Sequence, residues 1–460
     1  MGTTALQARA SGDLRLTDGS SVAVVGGGPA GSFFTYFLLQ LAERSGLALD
    51  VDLYEPRDFL QPAPQGCNMC GGIISESLVQ NLAIEGINLP PSVIQRGIDS
   101  YVLHTDVGSV RIELPLHEMR IGAVHRGAGP RDVTERRWQS FDRHLLEQAL
   151  ARGAKHIPAR VEDVGWQDGR PWLRARGGDA RAYDLVAVAI GVNSPTLKLF
   201  EKLDIGYRRP LVTKTLIREY RLGERVIGDT LGASMHVFLL NLPRLEFAAL
   251  IPKGDYVTMC LLGEEIDSAL GDEFAGMPQV RAVMPPGWQA SERSCQCLPH
   301  INVKGVDQPY ADRLVFIGDC GITRLYKDGI GAAYRTAKSA ARAAVFDGIS
   351  EAAFRRHYRP LCRTVASDNL LGKLTFRFTR RVQQSRLLRR AVLRAVKSEQ
   401  QEAGEARRLS GILWDMFSGS APYRDIFTRM LHPGFLCRLA WAVAASAGPE
   451  GHGRQPGVRS

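Results

Sequence analysis

Residues 22–31 read Val-Ala-Val-Val-Gly-Gly-Gly-Pro-Ala-Gly, and no other stretch of the chain restricts its fold as strongly. Val22 to Val25 form an apolar run of the kind that makes a buried parallel strand. Gly26, Gly28 and Gly31 then give the spacing G-x-G-x-x-G. Gly26 permits the tight turn, Gly28 lets backbone approach a pyrophosphate, and Gly31 lets the next helix pack closely on the strand. Pro29 and Ala30 open that helix, which should run to about Glu43 and aim its first N–H groups at the phosphates. A second apolar run, Val51-Asp-Leu-Tyr54, ends in Glu55. At the end of a second strand, a carboxylate accepts hydrogen bonds from an adenosine ribose. The glycines alone are a weak signal. With a strand before, a helix after and an acid closing the next strand, they define an adenine-dinucleotide site.

A chain of 460 residues has room for two or three domains and a large core. Residues 1–20 are polar and lack the apolar centre of a secretory signal, so they are expected to be a flexible N-terminus. No run of 18 apolar residues occurs, so no membrane-spanning helix is expected. The eight cysteines do not form an evenly spaced disulfide framework, which points to the reducing cytoplasm. The net charge of +10 is concentrated late in the chain. Residues 351–460 hold 20 Lys/Arg against 8 Asp/Glu, whereas the first 350 hold 38 against 40. No aromatic stacking set or nucleic-acid module accompanies this charge, so a nucleic-acid partner is not expected.

Patterning divides the rest. Residues 75–82 and 141–152 have helical spacing, and residues 99–126 alternate as antiparallel strands do. Asp184-Leu-Val-Ala-Val-Ala-Ile-Gly191 is a further buried strand. Residues 205–295 are strand-rich and read as a substrate-side sheet domain inserted into the nucleotide fold, which occupies 21–204 and 296–350. Residues 351–447 form a basic helical region, and the Gly/Pro-rich residues 448–460 a disordered tail.

The second cofactor signal is Arg313-Leu-Val-Phe-Ile-Gly318-Asp319, a strand ending in Gly-Asp, followed by Gly329-Ile-Gly331 opening a helix. Such an Asp suits a ribityl hydroxyl, and such a helix start a pyrophosphate. Together with the N-terminal turn this favours FAD over a nicotinamide cofactor alone. A second G-x-G-x-x-G, as disulfide reductases carry for NADPH, is absent.

These segments, with the Gly191-Val-Asn-Ser194 turn, resemble the FAD-dependent hydroxylase superfamily across about residues 20–345. Two more are similar to its geranylgeranyl reductase branch: Cys70-Gly71-Gly72 after a Pro-containing loop, and Phe247-Ala-Ala249-Leu-Ile251-Pro252-Lys-Gly-Asp255. Ala249 stands where that branch has Trp, and Ile251 where it has Phe. Ile190 replaces the Asp of the middle motif, and Tyr326 a Pro. The Trp-x-Trp-x-Ile-Pro segment of flavin halogenases is missing. The resemblance implies a discontinuous Rossmann-type α/β domain. It also implies FAD and an unidentified electron donor, with hydride transfer from reduced flavin N5 to a C=C bond of an isoprenoid or other lipid. An FAD-dependent monooxygenase acting on a hydrophobic substrate, or a flavin electron-transfer protein docked at a membrane, are the alternatives.

Within that resemblance, Cys70, Gly71 and Gly72 lie near the flavin ring. Their backbone N–H groups would stabilise charge on the reduced ring, and Cys70 is either a proton donor to the substrate or a small apolar wall. Phe247, Ala249, Ile251 and Pro252 are substrate-side residues, and the missing Trp side chain at 249 would either widen a lipid channel or suit a different ligand. Arg137 is similar, one residue out of register, to an Arg at the helix start that contacts FAD phosphate or ribose, and reads equally as a plain surface Arg. His300 reads first as an ordinary core or surface residue and second as a proton relay. Cys67-x-x-Cys70 and Cys295-x-Cys297 have no recognised metal spacing, so no metal is expected. Cys320 reads as a packing residue. Residues 371–396 interleave apolar and basic positions near a 3.6 period, and Trp414 and Trp441 follow. That pattern fits a helix on the inner, anionic face of a membrane, or an ordinary helical domain packed on the flavin fold.

Overall fold

The computed structural model describes residues 14–67, 70–113, 121–133, 137–402 and 407–447. Five parallel strands lie side by side in the order Leu314–Phe316, Leu185–Val188, Ser21–Val25, Asp50–Tyr54 and Lys155–Ile157. Tyr310–Ala311 pairs antiparallel on the outer edge. The central strands are apolar throughout because both faces are covered. Val22, Val24 and Leu53 pack under the helices Pro29–Arg44, Phe141–Leu150 and Gly329–Arg342. Ala23, Val25 and Val186 face Leu173 and Val161 of a three-stranded antiparallel sheet.

The second large sheet has seven strands, ordered Cys295–Cys297, Leu216–Arg221, Tyr256–Gly263, Leu245–Pro252, Ser234–Phe238, Ser100–Thr105 and Gly108–Ile112. Its period of two sorts residues by face. Ala248 and Leu250 join one core with the helix Ser268–Gly276, while Phe247, Ala249 and Ile251 face the opposite way. The sheet does not respect the expected division at residues 204/205 and 295/296. Two of its strands come from residues 100–112, and its outer strand crosses the second boundary. Alternation reveals that a segment is a strand but not which strand it pairs with.

On the outer face, His104 Nε2 lies 2.9 Å from His236 Nδ1 and the rings stack at 5.1 Å. Burial, helped by the neighbouring ring, holds His104 down to about 3, and burial holds His236 down to about 4. The unfolded chain therefore binds two protons that the folded chain refuses. The stability contributed by the neutral pair is complete above about pH 6.5 and is lost as pH falls through 4 and then 3, at roughly 1.4 kcal/mol per unit per ring. Denaturant melts should show this slope, and the double substitution His104→Phe/His236→Met should flatten it.

Among its described residues the C-terminal region holds six helices, Glu351–His357, Arg359–Gln384, Arg386–Gln401, Arg408–Ser418, Tyr423–Met430 and Pro433–Ala447. The amphipathic stretch 371–396 is broken at Ser385, whose hydroxyl caps the next helix at Leu388 N–H. Its apolar side meets protein. Phe376, Val392, Trp414 and Phe417 share one core with Tyr101, Leu103 and Val237 of the seven-stranded sheet. Trp414 stands edge-on to Tyr101 at 4.9 Å, so it is no headgroup anchor. Several of the basic residues tie the region down: Arg389 to Asp106 at 2.8 Å, Arg438 to Glu402 at 2.7 Å, and Arg380 to Glu246. Leu370, Leu374, Leu431, Leu436 and Trp441 remain exposed. Among the described residues no helix is long and apolar enough to cross a membrane.

Residues 14–20 are anchored, contrary to the expected flexible start. Leu16 is buried in the core and the Leu14 carbonyl accepts from Ile349 N–H at 2.8 Å. The expected disordered tail, 448–460, lies outside the described residues.

Candidate functional site: a dinucleotide groove opening on an apolar chamber

A pocket of about 450 Å3 runs from the Gly26–Ala30 turn to the inward face of the seven-stranded sheet. At its first end the glycines are required by contact. Gly26 has φ +107°, and a Cβ there would stand 2.6 Å from the Ala189 carbonyl oxygen. A Cβ on Gly31 would stand 1.7 Å from the Gly26 oxygen, so Gly31 is what seats the helix Pro29–Arg44 on the turn. Gly28 precedes that helix with no side-chain cap, leaving first-turn N–H groups for an anion. Glu55 is buried beside the turn. Its carboxylate accepts from Gly27 N–H at 3.0 Å and from Arg57 N–H and Nε, both at 3.0 Å.

Across the groove, Gly318 adopts φ +65° and a Cβ there would come within 2.8 Å of Ala30 Cβ. The Gly-Asp turn is thus pressed against the first helix, and Asp319 lines the pocket beside Thr323 and Gly329. Burial raises the Asp319 carboxyl, opposed by Thr323 and by the charge of Arg126. Gly331 is not on the pocket. Asp328 caps the helix by accepting from Gly331 N–H at 3.2 Å, and a Cβ on Gly331 would collide with that carboxylate at 2.2 Å. Gly331 serves the cap, and the ligand-facing glycine is Gly329. The narrow uncapped turn, the buried acid beside it and the second acid pressed onto the same helix fit an extended adenine dinucleotide such as FAD.

Arg137 also stands outside the pocket, paired with Glu224 at 3.0 Å and Asp255 at 3.5 Å. Among the arginines that line the pocket, Arg126 is bound bidentately to buried Asp142, at 2.9 Å through both nitrogens. Burial works to lower its pKa, but Asp142 and then Cys70 raise it overall, so it stays charged.

Cys70, Gly71 and Gly72 stand where groove and chamber meet. Gly72, at φ +71°, admits no Cβ because Val124 O would lie 2.0 Å away. Its N–H points to Cys70 Sγ at 3.4 Å. Gly71 lies against Ile251 and Cys260. Behind the loop is a buried polar cluster that sequence reading missed. Lys253 Nζ lies 3.5 Å from Glu219 Oε1 and 3.3 Å from His125 Nδ1, and Thr258 Oγ1 is 2.9 and 2.8 Å from the two Glu219 oxygens. A Cβ on Gly72 would sit 3.2 Å from Lys253 Nζ, so this ion pair backs the loop directly. Burial, then the Lys253 charge, hold His125 well below its ordinary value and keep it neutral.

The chamber walls are Ile217, Met235, Phe247, Ile251, Leu262 and, from the C-terminal helices, Phe417. Ala249 and Pro252 are not on it. Ala249 is fully buried in the apolar cluster that holds Trp414 and Phe417, so the small residue opens no channel. His300 borders the pocket, and its backbone N–H and carbonyl are both held by the Asn193 amide, at 2.9 and 2.8 Å. All eight cysteines are unbridged. Burial pushes Cys260 and Cys295 up to about 12, so both are thiols. Among the described residues no group of three or more His, Cys, Asp or Glu is arranged to hold a metal ion.

No family model matches the chain, and no curated protein matches it in sequence. Solved structures do. A geranylgeranyl bacteriochlorophyll reductase-like protein from Thermoplasma acidophilum superposes with a TM-score of 0.63 at 15% identity, over 90% of this chain and 99% of that one. Halogenase PltM gives 0.57 at 12%, over 93% and 91%. A p-nitrophenol 4-monooxygenase from Pseudomonas putida gives 0.57 at 11%, over 88% and 100%. The protein therefore shares the fold of these structures. That fold is shared here by reductase-like, halogenase and monooxygenase structures.

Proposed function

We propose that this chain is an FAD-dependent oxidoreductase that reduces a C=C bond of an isoprenoid or other lipid substrate. The observation that carries the reading is the single pocket joining a dinucleotide turn to an apolar chamber, with Cys70-Gly71-Gly72 at the junction. PltM, of like fold, binds FAD together with phloroglucinol. When bound, FAD supplies a hydride to carbon, drawn from an external electron donor. The protein does the rest. Glu55, Asp319 and Gly329 hold and orient the cofactor, and the apolar walls exclude water from the reacting carbon. Cys70 holds a proton at Sγ for the substrate carbon opposite the hydride. Arg126, charged and beside that sulfur, stabilises it once the proton has left.

Cys70→Ser should bind FAD normally and turn over about 100-fold more slowly, since a general acid contributes at least that much. Unchanged turnover would leave Cys70 as a wall. The reading itself is tested by reducing the flavoprotein anaerobically and mixing it with air or with a polyprenyl lipid. Rapid reoxidation by lipid and slow reoxidation by oxygen support a reductase. Fast oxygen consumption coupled to substrate hydroxylation would make it a monooxygenase. Rapid exchange with a donor and no turnover of either would make it an electron carrier.

A further inference from the structure

Lys327 is the buried cation that the reading above leaves without a task. It lies on the loop between the Gly-Asp turn and the helix Gly329–Arg342, and its side chain lines the chamber. The loop is held in place. Asn369, from the helix Arg359–Gln384, accepts from Leu325 N–H at 2.9 Å and donates to Thr323 O at 2.8 Å. Arg324 donates to the carbonyls of Gly419 and Ala421 and stacks on Tyr423 at 4.4 Å. Tyr326 and Asp328, on either side of Lys327, have φ of +58° and +54°. Two flanking residues in the left-handed region cost energy, and they persist because the anchors fix the lysine inward.

Inside the chamber the ammonium meets the wrong partners. Its Nζ lies 2.9 Å from the centre of the Phe247 ring. Among the described residues no carboxylate lies within ion-pairing distance of it. Asp328 is turned the other way, bound to Gly331 N–H and to Arg335 at 2.9 Å. Lys253, the other buried lysine at the site, has Glu219; Lys327 has only an aromatic face. A ring face offsets part of an ammonium's desolvation but not all of it. Burial accordingly holds the amine well below its ordinary value, with the Arg324 charge adding to this and Cys260 opposing it.

We propose that the substrate has an apolar body and a carboxylate, and that Lys327 is the chamber residue that pairs with that carboxylate. This rests on the flavin-oxidoreductase reading and narrows its substrate class. The body lies against Ile217, Met235, Ile251, Leu262 and Phe417, none of which can solvate an anion. Arg324 also borders the chamber, but its terminal nitrogens are committed to backbone carbonyls. The other titratable groups facing Nζ cannot replace the substrate's charge. Burial pushes Cys260 and Tyr326 up to about 12, so both stay neutral. Cys70 is held at Arg126 and Asp328 at Arg335. An arriving carboxylate restores the ammonium, so binding takes up a proton. Affinity therefore falls as pH rises through the amine's value in the complex.

The test is calorimetric titration of the FAD-loaded chain with 1-naphthoate and with its neutral counterpart 1-naphthylmethanol, in two buffers of different ionisation heat. The expected result is an about 10- to 100-fold preference for the carboxylate, with proton uptake. Lys327→Met should abolish both and leave the alcohol's affinity unchanged. Met fills about the same volume and removes a buried amine that has no carboxylate beside it, so the fold should tolerate it; Lys327→Gln is the second variant. Equal affinity for the two probes, or a preference that survives both substitutions, overturns the inference. Bound flavin is measured on the same sample by its absorbance. A chain that retains flavin but shows no carboxylate preference sinks this inference alone, whereas a chain unable to bind flavin sinks the reading on which it rests.

Discussion

Gly31→Ala is expected to abolish FAD retention, although it adds one methyl group. That methyl would lie 1.7 Å from the Gly26 carbonyl oxygen, a backbone atom in the phosphate turn itself. Real contacts of this kind lie beyond 3 Å, so the helix Pro29–Arg44 must lift from the strand. Its first-turn N–H groups then leave the position where a pyrophosphate would meet them. The helix also carries Phe33, Phe34 and Phe37 into the main core, so lifting it should destabilise the chain by about 1–3 kcal/mol, the usual cost of overpacking. Gly46→Ala serves as the control. Gly46 has a positive φ, +70°, which Gly31 does not, but nothing lies within 4 Å of its missing Cβ. It should lose about 1–2 kcal/mol, the cost of a left-handed alanine, and keep FAD. Flavin absorbance of the purified variants, read beside their thermal melts, checks both expectations.

Arg126→Met should be the most damaging single substitution to stability near the site. It leaves Asp142, which is fully buried, without its bidentate partner. Breaking a buried pair from one side costs about 3–5 kcal/mol, because an uncompensated charge remains. Asp142 should respond by taking up a proton, since burial already pushes its carboxyl upward and Arg126 is the main opposing influence. An acid raised in the folded state contributes stability at low pH that is lost as pH rises through its folded value. The variant should therefore melt higher in acid than at neutrality, relative to the parent. Arg126→Met/Asp142→Leu removes both charges and should recover most of the loss. A double variant no more stable than Arg126→Met would mean that the pair does not act as a unit.

Much of this architecture is legible in the sequence because its signals are local. A four-residue apolar run, a glycine turn and a terminal acid place the strand Ser21–Val25, its helix and Glu55 without reference to anything distant. The resemblance at Phe247–Pro252 likewise singles out Phe247 and Ile251, which line the chamber. The rest depends on long-range pairing. Arg126 is one arginine among many until the fold brings Asp142 to it, and Arg137, nearer the helix start, is the more tempting choice. Gly331 fits the pyrophosphate pattern, and only the left-handed turn at Asp328 reveals that its N–H is already used. The C-terminal helices show the deepest limit. A 3.6-residue period says that a helix has an apolar face, and it does not say whether lipid or protein covers that face. Here Phe376, Val392 and Trp414 are covered by the seven-stranded sheet, and Phe417 closes the chamber. Lys327 escaped for the same reason: a lysine beside an aspartate in a loop looks solvated until its burial over Phe247 is seen.

FAD is expected to lie in the Gly26–Ala30 groove at the edge of the chamber. This placement is tested most directly by titrating the flavin-free chain with FAD and following the quenching of flavin fluorescence. Saturation at one FAD per chain is expected, with no competition from NAD or NADP, and with loss of binding in Gly31→Ala but retention in Gly46→Ala. Absence of saturable FAD binding, or its displacement by a nicotinamide dinucleotide, would contradict this placement.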